Sequence, residues 1–460
     1  MTSQWIKVKK VLVANRGEIA VRIIRTLHRL HIRTVCVYST VDINSKAVNM
    51  SDESVCVGNS SIKESYLNAE NILSAALMTN CNAIHPGYGF LSEDYNFARA
   101  CDECGILFLG PSPDTIKQLG NKFLARKLVK NTGIKVIPGS SVELTKLDQA
   151  ISAATQLEYP LLLKAVHGGG GKGIRKVTNE SELRTAFNIA QNEAVLSFGS
   201  KEMYLEKVIT EAKHVEVQLV GDYFGNLIVF PERDCSVQYH HQKILEESPC
   251  DILSSAEREK LLSMAEKIGK LFEITQTSTV EFLVSQDHEI MFMEVNPRIQ
   301  VEHSVTEALT GVDFIELQIK IADHEKIQKE IVLKKITGHA IEVRVNAVNM
   351  KNNCLPSCGE IRSLKLPRSL VRIDSGIDTG SEVSPYYDSL LMKFIAHRKT
   401  RKDCLSSLKK AIESTKVEGL NTNLEFLNWL CDQADVKNGR YTVGMSASII
   451  DSFIGVKEGA

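Results

Sequence analysis

The sequence predicts an α/β fold with a doubly wound parallel sheet in its N-terminal part and antiparallel sheets after it. The whole chain is therefore α+β. Strand and helix patterns alternate from residue 9 to about residue 110, an order that produces parallel strands joined by crossover helices. From about residue 204 the strand patterns follow one another directly, which is typical of antiparallel sheets. Because 460 residues exceed what one compact core accommodates, we expect two to four domains.

The N-terminal alternation begins with the buried-strand pattern "KKVLVAN" and a helix that places Ile19, Ile23 and Leu27 at helical spacing. It continues through "RTVCVYS", "ESVCVG", "AENILSAALMT", "NAIHPG", a helix near 93–104 and "ILFLG". The motif G-x-G-x-x-G is absent after the first strand, so a dinucleotide cofactor is not indicated there. Residues 111–136 have the pattern of a helical connection.

Four consecutive glycines, 168–171, separate two strand patterns in "YPLLLKAVHGGGGKGIRKVT". Glycines here formally match G-x-G-x-x-G, but a strand pattern follows where that motif requires a helix. The stretch is not a Walker A loop, because Gly173 stands where Ser or Thr should follow Lys172. Glycine backbone N–H groups can surround an anion, so with Lys164 and Arg175 as basic neighbours a phosphate-covering flap is favoured over a plain surface hairpin.

The C-terminal half is rich in strand patterns, beginning with "KHVEVQLVGD" and "NLIVFPERDCS". A helix is predicted at about 255–272 with Ser255 as its N-cap, followed by the hairpin "STVEFLVSQDHEIMFMEVNP". A later helix, "RKDCLSSLKKAIESTKVEG", is predicted to close at Gly419. Further strands are predicted at 339–348, 359–363, 370–374 and 390–396.

Charge and cysteine content exclude several classes of protein. Lys plus Arg (55) nearly balances Asp plus Glu (56), so we expect neither nucleic acid nor a membrane as a partner. The N-terminus lacks the apolar core of a signal peptide, and no apolar run is long enough to span a bilayer. Eleven scattered cysteines indicate reduced thiols in an intracellular protein.

The stretch "EVNPRIQVEH" places a polar side chain at every second position: Glu294, Asn296, Arg298, Gln300 and Glu302. In an extended chain alternate residues share one face. The row is therefore either a solvated strand face or a row of catalytic groups.

The preceding hairpin favours the catalytic interpretation. If it turns at Asp287–His288, Glu281 and Glu294 lie directly opposite each other, and opposed like charges are destabilising. A hard cation such as Mg²⁺ between the carboxylates, with Asn296 nearby, resolves the repulsion. The alternative is a solvated pair of glutamates on an edge strand.

Three other stretches carry weaker signals. "KHVEVQ" places His214 and Glu216 on one face, which is more often an ordinary sheet surface. "QYHHQK" is rich in histidine but lacks metal-ligand spacing. "HPGYGFLSE" places Tyr88 between two glycines after a strand end, where doubly wound folds bind ligands.

Taken together, these stretches resemble the biotin carboxylase family of ATP-grasp enzymes over nearly the whole length. The matching stretches, in order, are "ANRGEIAVRI", "IHPGYGFLSE", "GPSPDTIKQLGNK", "KA..GGGGKGIR", "EKVI..AKHVEVQ", "ERDCSVQ", "HQK..EE.P", "VEFL", "EVNPRIQVEH.VTE.LTGVD", "GHAIE.RVNA", "PYYDSLL" and "GLNTN". The resemblance implies an ATP-grasp architecture with an N-terminal α/β domain (1–110), a helical linker (111–136), a mobile glycine-rich lid (137–208) and a C-terminal catalytic domain (209–460).

The resemblance implies a reaction in which ATP phosphorylates bicarbonate to carboxyphosphate, which then carboxylates N1′ of biotin. It assigns Mg²⁺, or Mn²⁺, to Glu281, Glu294 and Asn296. The implied ATP-binding residues are Lys122, Lys164, Gly169, Gly170, Gly171, Ile174, Glu206, Lys207, Ile209, His214, Gln238, His241 and Leu283.

The resemblance also implies roles in the chemical steps. Glu302 is the general base for bicarbonate, and Arg344 stabilises the biotin enolate. Bicarbonate or biotin is held by Lys243, Arg298, Gln300, Val301, Tyr88 and Arg344. Because no fused carrier or transferase region follows, we expect a separate biotin carboxyl carrier protein, carboxyltransferase subunits and a homodimer.

The expected setting is the acetyl-CoA carboxylase of a bacterial cytoplasm or a plastid stroma, which supplies fatty acid synthesis. The alternative is the carboxylase subunit of a propionyl-CoA or pyruvate carboxylase. Rival classes are another ATP-grasp ligase and a non-catalytic nucleotide-binding regulator. Departures from the family pattern occur at Val166, His167, Tyr239 and His240, and in "NAVNMKNNCLPSCGEI", yet every residue assigned to chemistry is present, so we expect an active enzyme.

Overall fold

The computed structural model describes residues 7–168, 173–239, 242–329, 336–352 and 354–455. Its N-terminal sheet has five strands, all paired in parallel. In spatial order they are Glu53–Gly58, Arg33–Ser39, Lys10–Val13, Ala83–His85 and Leu107–Phe108. The predicted doubly wound parallel sheet is confirmed.

Helices of the N-terminal part pack through their apolar faces, and the last of them, Lys122–Asn131, packs on the strand Ile290–Asn296 of the C-terminal half. The first helix, Gly17–Arg29, buries Ile19, Ile23 and Leu27 as its spacing predicted. The following α-helices are Lys46–Met50, Ala69–Met78, Tyr95–Glu103, Pro113–Gly120 and Lys122–Asn131. The last two form the predicted helical connection.

A second, three-stranded antiparallel sheet contains the strands that flank the glycine stretch. Its order is Ile174–Val177, Leu161–Ala165 and Met203–Lys207. Helices Leu147–Leu157 and Glu180–Phe198 pack on it. The two flanking strands pair antiparallel, as the sequence predicted, and residues 169–172 between them lie outside the described part of the chain.

A nine-stranded antiparallel sheet dominates the C-terminal half. Its path runs Ile290–Asn296, Gln276–Ser285, Ala212–Gly221, Arg233–Tyr239, Gln242–Ser248, His339–Asn346, Leu390–Arg398 and Arg372–Ser375, and Leu227–Val229 pairs with the third of these. Short two-stranded pairs join Val348–Asn349 to Leu355–Pro356, Gly359–Glu360 to Glu382–Val383, and Ser363–Lys365 to Lys416–Glu418.

The helices of this half are Ser255–Leu271, His303–Thr310, Phe314–Ala322, Arg401–Ser414, Leu424–Leu430, Ala434–Lys437 and Val443–Gly455. Two predicted helix ends were wrong. Ser254, not Ser255, accepts the capping hydrogen bond from the Glu257 N–H. Gly419 is not a helix cap, because the helix ends at Ser414 and a strand intervenes.

Within the described ranges, each helix is too short or too polar to cross a membrane. All eleven cysteines are free thiols.

Candidate active site

Glu281 and Glu294 are directly opposed across the two strands of the predicted hairpin. The turn lies where the sequence predicted it, with the His288 N–H donating to the Ser285 carbonyl at 3.0 Å. A β-bulge directly after Glu281 breaks the register of the pair of strands there. The opposed carboxylates are therefore confirmed as a structural feature.

Asn296 lies between these two carboxylates. Its Nδ2 is 3.0 Å from Glu281 Oε1 and 3.3 Å from Glu294 Oε1, so one oxygen of each carboxylate reaches a common point. Rotation of the amide by 180° would present its oxygen to that point instead. Two carboxylate oxygens and one amide oxygen form the hard donor set that Mg²⁺ or Mn²⁺ prefers, so these residues fit the metal.

Neighbouring cations keep both carboxylates ionised. Burial alone would raise the pKa of Glu281, but Lys243 and His214 hold that pKa well below its usual range. Burial likewise opposes ionisation of Glu294, and Lys122, which donates to its Oε2, lowers the pKa. The pair is therefore negatively charged at neutral pH and suited to a cation.

The polar row 294–302 does not continue as a strand, so the strict alternation holds only as far as Asn296. The strand ends at Asn296, where Pro297 has no N–H to donate to a sheet, and Glu302 directly precedes the helix His303–Thr310. The side chains nevertheless converge: Gln300 Nε2 is 3.2 Å from Glu281 Oε1. Gln300 and Glu302 are buried, which excludes the solvated-face interpretation.

Arg298 connects this row to the N-terminal part of the chain. Its Nε lies 2.5 Å from Glu93 Oε1, and its Nη1 lies 2.6 Å from Gln300 Oε1. Glu93 belongs to "HPGYGFLSE", the stretch that the sequence placed after a strand end. The guanidinium is thus held from two sides, which preorganises a planar fork for an anion.

Glu302 is held between two cations. Its Oε1 accepts from Lys243 Nζ at 2.6 Å, and its Oε2 accepts from Arg344 Nη2 at 2.8 Å. Burial would raise the pKa of Glu302, but Lys243 and Arg344 place it well below its usual range. The carboxylate is therefore ionised, and each of its oxygens is paired with a cation.

Three buried residues complete this cluster without having been selected from the sequence. Glu216 accepts from Lys243 Nζ and from Arg233 Nε, both at 2.6 Å, and Glu246 Oε1 accepts from Arg344 Nε at 2.6 Å. Burial raises the pKa of Glu246 to about 7. The sequence placed Glu216 on the face it shares with His214, and the family stretches "ERDCSVQ" and "HQK..EE.P" contain Arg233 and Glu246. Their partners could not be read from the sequence, because the contacts join strands distant in sequence.

Several residues expected to bind a nucleotide lie close to the metal glutamates. Lys164 Nζ lies 2.5 Å from Glu206 Oε2, and both side chains are buried. His214 connects this region to the metal site: its Nε2 is 2.9 Å from Glu281 Oε2 and its Nδ1 is 2.7 Å from Gln238 Nε2.

An apolar cluster adjoins these polar groups and includes two of the expected residues. Leu283 is buried with Ile137 and Met291, and Ile209 packs against them. Such a wall suits the flat face of a purine base.

Two further nucleotide candidates, Ile174 and Lys207, lie on strands of the three-stranded sheet. Ile174 pairs with Lys164 in register, and Lys207 Nζ donates to the Glu158 carbonyl at 2.8 Å. Val166 is fully buried, and its carbonyl accepts from the Lys122 N–H at 3.2 Å. Gly169, Gly170, Gly171, His240 and His241 lie outside the described residues.

Tyr88 and Val301, assigned to biotin and bicarbonate, both contact the same buried group of charges. Tyr88 Oη donates to Glu18 Oε1, and the Val301 carbonyl accepts from Lys393 Nζ at 2.5 Å. Lys393 lies in "LLMKF" and is fully buried, so it is not an attachment point for biotin.

Comparisons with known proteins agree along the chain. Residues 7–116 match the model of the biotin carboxylase N-terminal domain, 121–330 that of the carbamoyl-phosphate synthase L chain ATP-binding domain, and 342–447 that of the biotin carboxylase C-terminal domain. Biotin carboxylase 1 of Bacillus subtilis is 43% identical over 94% of this chain and 97% of its own length. The chloroplastic biotin carboxylase of Arabidopsis thaliana is 42% identical over 94% of this chain and 80% of its own length.

Solved structures are similar over the same extent. The biotin carboxylase domain dimer of Hydrogenobacter thermophilus 2-oxoglutarate carboxylase, in complex with MgADP, ADP and bicarbonate, superposes with a TM-score of 0.93 at 38% identity and covers 97% of this chain and 99% of its own. The β-γ-ATP complex of biotin carboxylase from Campylobacter jejuni gives a TM-score of 0.92 at 38% identity, covering 96% of this chain and 99% of its own.

Proposed function

The chain belongs to the biotin carboxylase family, and on that premise we propose that it is an ATP-dependent ligase that transfers a carboxyl group from bicarbonate to N1′ of biotin. The observation that carries this proposal is the position of Glu302, ionised between Lys243 and Arg344 and beside the opposed metal glutamates. A site that only bound a nucleotide would have no use for a carboxylate held in this way.

The phosphates of ATP are assigned to the lysines that now pair with carboxylates. Lys122 contacts Glu294, and the charge of Lys164, which contacts Glu206, also lowers the pKa of Glu294, so both ammonium groups lie near the metal site. A divalent ion held by Glu281, Glu294 and Asn296 would supply charge neutralisation for phosphoryl transfer. The glycine stretch, flanked by two paired strands, is proposed as the lid over the phosphates.

Bicarbonate is assigned to Arg298, Gln300 and the Val301 backbone. The guanidinium of Arg298 is fixed by Glu93 and Gln300, and a bound oxyanion would take its remaining donors. Lys243, which contacts Glu216 and Glu302, places a positive charge on the opposite side of Glu302 from Arg344.

In the proposed first step, Glu302 accepts the proton of bicarbonate, and the resulting carbonate oxygen attacks the γ-phosphorus of ATP. The bond to ADP breaks, and carboxyphosphate and ADP are formed. In the second step carboxyphosphate yields CO₂ and phosphate, the phosphate takes the N1′ proton of biotin, and the enolate attacks CO₂. Arg344 stabilises the negative charge of that enolate.

Arg344 is also an ion-pair partner of the general base. Its Nη2 contacts Glu302 at 2.8 Å, and its Nε contacts Glu246 at 2.6 Å. In the proposed sequence the same guanidinium pairs with Glu302 during the first step and stabilises the biotin enolate during the second. A single cation therefore serves both chemical steps.

We further propose a separate biotin carboxyl carrier protein and carboxyltransferase subunits as partners, and a homodimer as the working form. The relative from Hydrogenobacter thermophilus, whose structure is a dimer, supports the homodimer.

Bacterial and chloroplastic relatives support a role in the acetyl-CoA carboxylase of a bacterial cytoplasm or plastid stroma. The domain division at residues 110, 136 and 208 is also proposed, as the family resemblance implies it.

The test is ATP hydrolysis by the purified protein with and without bicarbonate and free biotin. We expect hydrolysis to require bicarbonate and carboxybiotin to form when biotin is added. Hydrolysis that is independent of bicarbonate would refute the proposal and favour another ATP-grasp ligase.

A further inference from the structure

Lys393 is a fully buried lysine that the proposed chemistry does not use. It lies on the strand Leu390–Arg398, directly behind the turn that carries Glu302. Its Nζ donates to the Val301 carbonyl at 2.5 Å and to Ser304 Oγ at 2.9 Å. These two acceptors stand on either side of Glu302 in the sequence.

The electrostatic surroundings keep this lysine charged. Burial would lower its pKa, but Glu18, Glu342 and Asp374 raise it. Glu18 Oε1 lies 3.5 Å away and Glu342 Oε2 lies 4.0 Å away. Asp374 is itself paired with Arg372 at 2.6 Å, so the close partners of the ammonium group are the two glutamates and the turn.

An apolar side chain would fill this position without the cost of desolvating a charge, which is several kcal/mol. A charged lysine at this position is therefore explained by the contacts that its ammonium group makes, and not by packing. The buried Lys393 ammonium group donates to the Val301 carbonyl and to the Ser304 hydroxyl, which flank the general base Glu302. Such a contact fixes the peptide plane between Val301 and Glu302 and the first turn of the helix His303–Thr310.

We propose that Lys393 is a positioning residue that sets the geometry of bicarbonate and of Glu302 relative to each other. The proposal deepens the proposed function and rests on it. Lys393 anchors the Val301 carbonyl and the Ser304 hydroxyl, and so it fixes the backbone segment from which the Glu302 side chain reaches Lys243 and Arg344. Misplacement of a reacting group by about 1 Å can reduce a rate by about 10²-fold, so a loose turn would be costly.

The same buried group reaches the biotin side of the site. Glu18 accepts from Tyr88 Oη and lies next to Lys393. Glu18 is on the first helix, Gly17–Arg29, whereas Lys393 is on the nine-stranded sheet. The cluster therefore connects the N-terminal part that carries Tyr88 with the turn that carries Glu302.

The test is Lys393→Met, which keeps the length of the side chain and removes the donor. We expect kcat/KM for bicarbonate to fall by about 10²-fold in the bicarbonate-dependent ATPase, while the KM for ATP changes by less than about twofold. A general structural role would instead change the parameters of both substrates together.

The matched control is Lys213→Met, which removes another buried lysine from the same sheet. Lys213 pairs with Asp234 at 2.8 Å and does not contact the turn. We expect a lower thermal midpoint for this variant without a selective loss in kcat/KM for bicarbonate. An equal selective loss in both variants would overturn the proposal, as would an unchanged kcat/KM for bicarbonate in Lys393→Met.

A second variant covers the case in which Lys393→Met does not fold. Ser304→Ala removes one of the two acceptors, together with the hydrogen bond that Ser304 Oγ donates to Glu342 Oε2, and leaves the lysine in place, so we expect a smaller selective loss for bicarbonate. No change in this variant would overturn the proposal. If the unaltered protein hydrolyses ATP without bicarbonate dependence, the proposed function itself is refuted. That result is distinct from a failure of the Lys393 proposal, which concerns only the variants.

Discussion

Lys243 Nζ lies 2.6 Å from Glu302 Oε1, and the exposed fraction of the Glu302 side chain is 1%. This contact lowers the proton affinity of the carboxylate that is assigned as the base. The arrangement is consistent with catalysis only if a substrate changes the pairing, since an anion bound at Lys243 would weaken the lysine's hold on Glu302. The contact between Lys243 and Glu302 therefore links anion binding to the basicity of Glu302.

Glu302→Gln should abolish most of the bicarbonate-dependent ATP hydrolysis. The amide has nearly the same shape but cannot accept the proton, and general base catalysis contributes about 10²–10⁴-fold. Steady-state kinetics with saturating ATP measure the loss. Glu289→Gln, at an exposed position paired with Lys135, is the matched control and should be silent. A Glu302→Gln enzyme with full activity would remove this residue from the role of base.

Arg344→Ala should reduce carboxylation of biotin more than bicarbonate-dependent ATP hydrolysis. Arg344 is assigned to the biotin enolate, which forms after the phosphoryl transfer. Parallel assays of carboxybiotin and of ADP measure the ratio of the two activities. Equal losses in both would contradict the separation of roles, and would indicate that the ion pair with Glu302 dominates the effect.

Glu294→Gln should weaken the use of Mg·ATP. The substitution removes the negative charge opposite Glu281 and replaces one carboxylate oxygen with an amide nitrogen. The concentration of Mg²⁺ or Mn²⁺ that gives half-maximal activity should rise by at least about tenfold, or ~1.4 kcal/mol. An unchanged metal dependence would exclude Glu294 from the metal site.

Stability at low pH should depend on Glu307, which is buried between Arg22 (2.6 Å) and Arg372 (2.8 Å). Burial opposes ionisation, but the two arginines lower the pKa of Glu307 from 4.5 to about 2. A carboxyl whose pKa is depressed on folding stabilises the protein fully above its unfolded pKa, and that contribution is lost as the pH falls through the folded pKa.

The Glu307 contribution is therefore complete above about pH 4.5 and decreases down to about pH 2. It amounts to about 3 kcal/mol at most. Urea denaturation at a series of pH values should show a shallower loss of stability in Glu307→Gln than in the unaltered protein across that window. The same slope in both proteins would show that the ion pairs with Arg22 and Arg372 do not stabilise the fold in the predicted way.

Several features of the fold and of the site followed from local sequence patterns. The alternation of strand and helix predicted the parallel sheet, because a parallel connection needs a crossover helix. The hairpin register predicted the opposed pair of Glu281 and Glu294, since a short turn determines which residues face each other. The alternating pattern of the polar row did not show where the strand ends. It ends at Asn296, because Pro297 has no N–H for the ladder of backbone hydrogen bonds.

The sequence by itself determined the chemical types present: the opposed glutamates, the glycine stretch between two strands, and the polar row with its arginine and terminal glutamate. Only the tertiary structure decided how they are paired. The contacts of Glu302 with Lys243 and Arg344 span 59 and 42 residues, and that of Lys393 with Val301 spans 92. No local periodicity encodes such distances, because they arise from the order of strands in the nine-stranded sheet and from the burial that forces each charge to find a partner.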